Sequence, residues 1–270
     1  MDSIPDFINR NKGANRLQLF LAVSPAEVQA ASGHHRPLAH AAYRIGEDSS
    51  LLRQNLLLQS KGGLLCVSDR DAPQILHPAA LCQAILRECG RRNYQGILLD
   101  FEEPPEQDRI AFIRQLEQTL LPYRKTLYIP EHYMDAAPKS IGLICTALSG
   151  GTLDQRLREA IELRGSASRL ALDVQRLCMD FTLPAPSGEG IPLDSETFRA
   201  LIEREKPSIF FSPELCARYF TYIKNNEFHF VLFDDTETLR QKLRLGSSLG
   251  FSAAFFMWPE IQDLARDLLR

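Results

Sequence analysis

The chain has 270 residues, 44% hydrophobic and 24% charged, with a formal net charge of −3. That composition suits a soluble globular protein with a large core, and the length permits one large barrel or two small domains. The near-neutral charge and the absence of a long basic run argue against nucleic acid as a main partner, and no apolar run approaches the roughly eighteen residues of a membrane span.

The opening stretch, MDSIPDFINRNKGANRLQLF, carries early acids and a proline in place of a charged-then-apolar signal pattern. A cytoplasmic location is therefore expected. Eight apolar segments follow and read as strands: 18–24, 38–45, 63–68, 96–101, 126–131, 141–148, 169–174 and 252–258. They are short and apolar nearly throughout, as buried parallel strands are. Amphipathic segments alternate with many of them. Residues 77–92 have apolar positions at helical spacing, and 106–123 start with acids after a double proline. Residues 152–164 begin at a threonine cap candidate, and 235–250 end at Gly250 just before the last strand.

Eight strands with helical returns predict an α/β fold, a single (β/α)8 TIM barrel over residues 1–270. Residues 175–233 break the alternation: a loop-like LPAPSGEGIPLD, a short helix, then SIFFSP and FHFVLF. They are read as an excursion between the seventh and eighth strands and not as a separate domain.

The fourth segment, YQGILLDFEEPP (94–105), ends an apolar run in three carboxylates. A strand alternates its faces with period two. Gly96, Leu98, Asp100 and Glu102 share one face, and Ile97, Leu99 and Phe101 share the other. In a barrel the bulky second set packs against helices, and the first points inward with its acids at the C-terminal end. Barrel enzymes build their active sites at that end. Glu103, just before Pro104-Pro105, has the simpler role of complementing a helix N-terminus. Asp69 and Glu131 end the third and fifth strands, so they join Asp100 and Glu102 around the predicted mouth.

Gly96-Ile97-Leu98-Leu99-Asp100-Phe101-Glu102 resembles the fourth strand of the glycoside hydrolase family 18 chitinase-like barrels, with the spore-cortex lytic and germination enzymes as the nearest branch. Further stretches resemble the family in the same order. They are Ala42-Tyr43-Arg44-Ile45-Gly46-Glu47-Asp48 at the second strand and its turn, Phe233-Asp234-Asp235-Thr236-Glu237-Thr238-Leu239 with Lys242 at a helix entry, and Phe256-Met257-Trp258-Pro259-Glu260 at the eighth strand. The resemblance implies that Glu102 is the general acid. Asp100 would orient the substrate's N-acetyl group, whose carbonyl is the nucleophile, a departure from the usual two-carboxylate scheme. Trp258 would floor the sugar site, with Tyr43, Asp69 and Glu131 as further substrate contacts. The ligand class implied is an N-acetylated glycan such as a peptidoglycan fragment, and spore association is implied as well.

The chain also departs from that pattern. Gln95 and Leu98 replace earlier acids of the motif. The family's sixth-strand tyrosine, which steadies the N-acetyl intermediate, is replaced by Ala147 when Cys145-Thr146-Ala147-Leu148 is placed there. The alternative placement, Met179-Asp180-Phe181, also lacks the hydroxyl. Three readings stay open: an active glycosidase, an inactive barrel that binds a glycan or a protein partner, and a metal-dependent hydrolase using Asp69, Asp100, Glu102 and Glu131. No spaced ligand motif supports a metal, and no GxSxG elbow, P-loop or dinucleotide fingerprint points to a cofactor. The six cysteines are scattered, none in CxxC, and read as reduced core thiols.

Overall fold

The computed structural model describes residues 17–54, 61–185 and 188–270. The N-terminal stretch read above for a signal pattern lies, up to residue 16, outside the described residues, as do two residues of the LPAPSGEGIPLD segment.

Eight strands close into a barrel: Gln18–Val23, Leu38–Ile45, Leu64–Ser68, Gly96–Asp100, Thr126–Pro130, Ile141–Cys145, Leu170–Asp173 and Ala253–Met257. Each pairs in parallel with its neighbours, and the first strand bonds to both the second and the eighth, so the ring is complete. Full closure leaves the ring without a free edge. A three-residue strand, Leu51–Arg53, adds antiparallel to the second strand; nothing in the sequence pattern marked it.

The period-two alternation sorts the side chains into layers. Phe20, Cys66, Leu98, Tyr128, Ala171 and Phe255 fill the barrel interior. Phe20 and Tyr128 both pack on Phe255, with ring centroids 4.9 Å away in each case. On the outside, Ile97, Leu99 and Phe101 of the fourth strand pack with Ile85, Phe112 and Leu116 of the surrounding helices. The helices lie at Pro78–Arg92, Gln107–Leu120, Leu153–Arg164 and Thr236–Leu249. Gly96 lets the fourth strand lie close to the fifth, because a Cβ there would meet the Thr126 carbonyl oxygen at 2.4 Å.

Between the seventh and eighth barrel strands the chain leaves the ring and builds a five-stranded antiparallel sheet. Its strands are Cys178–Leu183, Ile191–Pro192, Phe210–Ser212, Ala217–Lys224 and Glu227–Phe233. The helix Ser195–Glu205 covers one face with Phe198, Leu201 and Ile202, against Phe220, Val231 and Phe233. Met179-Asp180-Phe181, offered above as an alternative for the sixth barrel strand, lies in this sheet. Asp180 there accepts hydrogen bonds from Tyr222 and contacts the His229 ring.

The Asp234-Asp235 stretch ties the excursion back to the barrel. Asp235 caps the helix Thr236–Leu249 by accepting from the Thr238 N–H, while the Thr238 hydroxyl accepts from the Asp235 N–H. That reciprocal pair is a capping box. The helix ends at Gly250, whose φ of 90° favours glycine. Asp234 is fully enclosed and accepts from Leu177 N (2.9 Å), Thr238 Oγ1 (2.8 Å) and Lys242 Nζ (2.6 Å). Lys242 is also fully buried, so this pair is held by its geometry and hydrogen bonds inside the fold. Among the described residues no helix is long and apolar enough to cross a membrane.

Candidate active site

A cavity of about 350 Å³ opens at the C-terminal end of the barrel. Cys66, Leu98, Leu143 and Phe255 are among its apolar walls. Four carboxylates line it: Asp100 at the end of the fourth strand and Glu102 just after it, Glu131 after the fifth, and Asp173 at the end of the seventh.

Local packing sets the direction of the fourth-strand acids. Phe101 is buried between Phe112 (6.0 Å between centroids) and Tyr133 (5.9 Å) on the helix side. With Phe101 fixed outward, Asp100 and Glu102 face the mouth. The Tyr133 hydroxyl donates to the carbonyls of Glu103 (2.7 Å) and Pro104 (3.0 Å), which ties down the loop that follows. Asp69 holds the same loop from the third strand by accepting from the Glu102 N–H at 3.1 Å.

The carboxylates sit in different surroundings. Asp100 keeps an exposed edge at the strand end, but loss of water around its carboxyl within the mouth, then the nearby charges of Glu102, Asp173 and Asp69, push it above its ordinary range. Burial pushes Asp173 up to about 6, against the opposing effect of the Gln175 amide, which donates to Asp173 Oδ2 at 2.7 Å. The Glu102 side chain is 63% exposed and pairs with the exposed Arg70 at 3.9 Å. A contact that long and that wet contributes little. Glu131 is held by Arg156 in a two-pronged pair, one arm 2.8 Å long.

The six expected site residues therefore divide. Asp100, Glu102 and Glu131 meet at the mouth. Asp69 lies beneath it, with no exposed surface, bonded to Arg109 Nε at 2.8 Å. Its acceptor capacity goes to Arg109 and the Glu102 N–H, so it supports the loop and does not reach the cavity. Tyr43 is 3% exposed on the helix side of the second strand, where its hydroxyl donates to Glu88 at 2.9 Å. A bulge between Ala41 and Tyr43 shifts the alternation and turns Tyr43 outward. Trp258 is 4% exposed and packs in the core between barrel and helices with Val23, Ala31 and Ile261. Its neighbour Met257 lines the cavity instead.

Asp173 was not anticipated, although the sequence held the signal. In Leu170-Ala171-Leu172-Asp173, Ala171 points into the barrel and Leu172 away from it, so Asp173 is an inward acid at a strand end. The argument applied to the fourth strand applies here unchanged. Among the described residues lining the cavity there is no Tyr, Trp, Ser, Thr, Lys or Arg. Nor do any three His, Cys, Asp or Glu among the described residues form a group that could hold a metal ion. Asp69 and Glu131 are already engaged by arginines.

No protein-family model matches this chain, and no curated protein does. Solved structures do match. The spore cortex-lytic enzyme SleL of Bacillus megaterium is 16% identical, with a TM-score of 0.64 over 93% of this chain and 72% of its own. A chitinase from Chromobacterium violaceum is 16% identical, with a TM-score of 0.67 over 90% of this chain and 95% of its own. A class V chitinase from Nicotiana tobaccum is 12% identical, with a TM-score of 0.68 over 93% and 96%. At such identities the likeness is one of fold: the chain shares a closed eight-stranded parallel barrel with these proteins.

Proposed function

We propose that this barrel is a glycoside hydrolase acting on N-acetylated glycans of the peptidoglycan or chitin type, with Glu102 as general acid and Asp100 orienting the substrate's N-acetyl group. The observation that carries the reading is the placement of both carboxylates on the wall of the cavity at the barrel's C-terminal mouth. Glu102 is exposed and weakly tethered, so its carboxyl can reach over a sugar seated below it. Asp100 ends the fourth strand, whose preceding four residues are buried, and is held by it. The ligand class is supported by the likeness to barrels whose names record chitinase and cortex-lytic enzymes, including a class V chitinase solved with NAG4. A cytoplasmic or spore-associated setting is part of this proposal.

One observation favours a second reading, a barrel that holds a glycan or a protein partner without turnover. Among the described residues, no tyrosine hydroxyl lines the cavity, and Trp258 lies in the core. Hydrolysis of fluorogenic N-acetylglucosamine oligomers and spore-cortex peptidoglycan, with wild type and Glu102→Gln, tests the choice. Removing a general acid costs about 10²–10⁴ in rate, so the variant should lose turnover while still binding. Equal turnover in both proteins would move the acid elsewhere. Binding without turnover by the wild type would select the second reading.

A further inference from the structure

A glycan offers both donors and acceptors to its site, but an ionised carboxylate only accepts. The mouth is rich in carboxylates. Its remaining polar side chains are His132 and Gln175, and the Gln175 amide already donates to Asp173. The cavity is therefore short of donors for a carbonyl oxygen on a bound sugar. Asp173 is the carboxyl that the seventh strand brings to this cavity. It pairs with Cys145 on the sixth strand and with Phe255 on the eighth, and all three line the cavity.

We propose that Asp173 is a substrate-binding group that, as a neutral carboxylic acid, donates a hydrogen bond to the acetamido carbonyl of a glycan in the barrel mouth. This rests on the reading of the mouth as a glycan site. Gln175 donates to Oδ2, which leaves Oδ1 to carry the proton. The surroundings favour the neutral form. Burial is the main cause, and Glu260, beyond the eighth strand, adds to it. The other ionisable groups on the walls are Cys66 on the third strand, Asp100 at the end of the fourth and Glu102 just after it, Glu131 and His132 after the fifth, and Cys145 on the sixth. No lysine or arginine among the described residues lines the cavity to stabilise an anion at Asp173. The neutral form is thus the main one below about pH 6, and a carboxylic acid that donates a hydrogen bond while neutral is an established device in enzyme sites.

Two measurements test this. Carboxyl-carbon NMR of the unliganded protein, with the Asp173 signal assigned by its loss in Asp173→Asn, should give a midpoint near 6. Calorimetric binding of the N-acetylglucosamine tetramer is then followed from pH 5 to 8 in a Glu102→Gln background, which prevents turnover. Affinity should fall roughly tenfold across that range, the worth of one hydrogen bond. Asp173→Ala should bind weakly at every pH. Asp173→Asn, which keeps an N–H donor, should restore affinity and flatten the profile. A tetramer of unsubstituted glucose should show no step at the Asp173 midpoint. Pronounced binding that ignores both pH and Asp173→Ala overturns the role of Asp173 and leaves the glycan reading standing. Failure of the tetramer to bind any of these proteins overturns the glycan reading and this inference with it.

Discussion

Replacing Arg109 with Met should destabilise the protein and loosen the loop that carries Glu102. Arg109 is 2% exposed and Asp69 is fully buried. The guanidinium donates to Asp69 Oδ2 and to the Ala72 carbonyl, each at 2.8 Å. Without it, Asp69 keeps a buried negative charge with the Glu102 N–H as its remaining recorded donor. Breaking a buried pair by removing one partner costs about 3–5 kcal/mol. At roughly 2–4 °C per kcal/mol for domains of about this size, the expected loss in Tm is roughly 6–20 °C. Calorimetric melting of Arg109→Met, Asp69→Leu and the double variant measures it. The double variant should be less destabilised than the sum of the singles, because it leaves no orphaned charge. A Tm within about a degree of wild type for Arg109→Met, or strict additivity, would refute the account of this pair as the support beneath the site.

Other expectations follow from the same structure. Lys242→Met leaves buried Asp234 uncompensated and should cost about 3–5 kcal/mol in denaturant unfolding. The folded Asp173 carboxyl titrates at about 6 against an ordinary 3.8, so the folded state holds this proton more tightly than the unfolded chain does. The Asp173 contribution is thus present below pH 4 and lost as pH rises through 6. Asp173→Asn should remove that slope and, near pH 7, be more stable by up to about 3 kcal/mol, read from unfolding curves at several pH values. Trp258 is the only tryptophan, and it lies in the core; saturating glycan should leave its emission maximum unchanged, whereas a shift on binding would place it at the sugar site.

The barrel was legible because its strands are short apolar runs separated by amphipathic helices, and each of the eight predicted strands has a counterpart within about three residues at either end. The acids of the fourth strand were legible for the same reason, since period-two alternation assigns faces without knowledge of neighbours. Tyr43 was not, because a bulge between Ala41 and Tyr43 breaks that alternation and leaves no mark in LAHAAYRI. Trp258 could not be placed because it starts a helical turn at the strand's end, where strand alternation no longer applies. The excursion was located between the correct strands. Its sheet was read only in part, because Cys178–Leu183 and Ala217–Lys224 mix charged and apolar residues and gain their partners from distant chain. Asp69 shows a further limit: a strand-end acid looks the same in sequence whether it meets substrate or, as here, a buried arginine.

The most direct test of the central claim is a crystal structure of the Glu102→Gln variant grown with the N-acetylglucosamine tetramer. The account predicts a sugar ring in the mouth cavity, with its acetamido group between Asp100 and Asp173 and its glycosidic oxygen within reach of residue 102. A ring bound elsewhere on the molecule, or an empty mouth at saturating glycan, would contradict it.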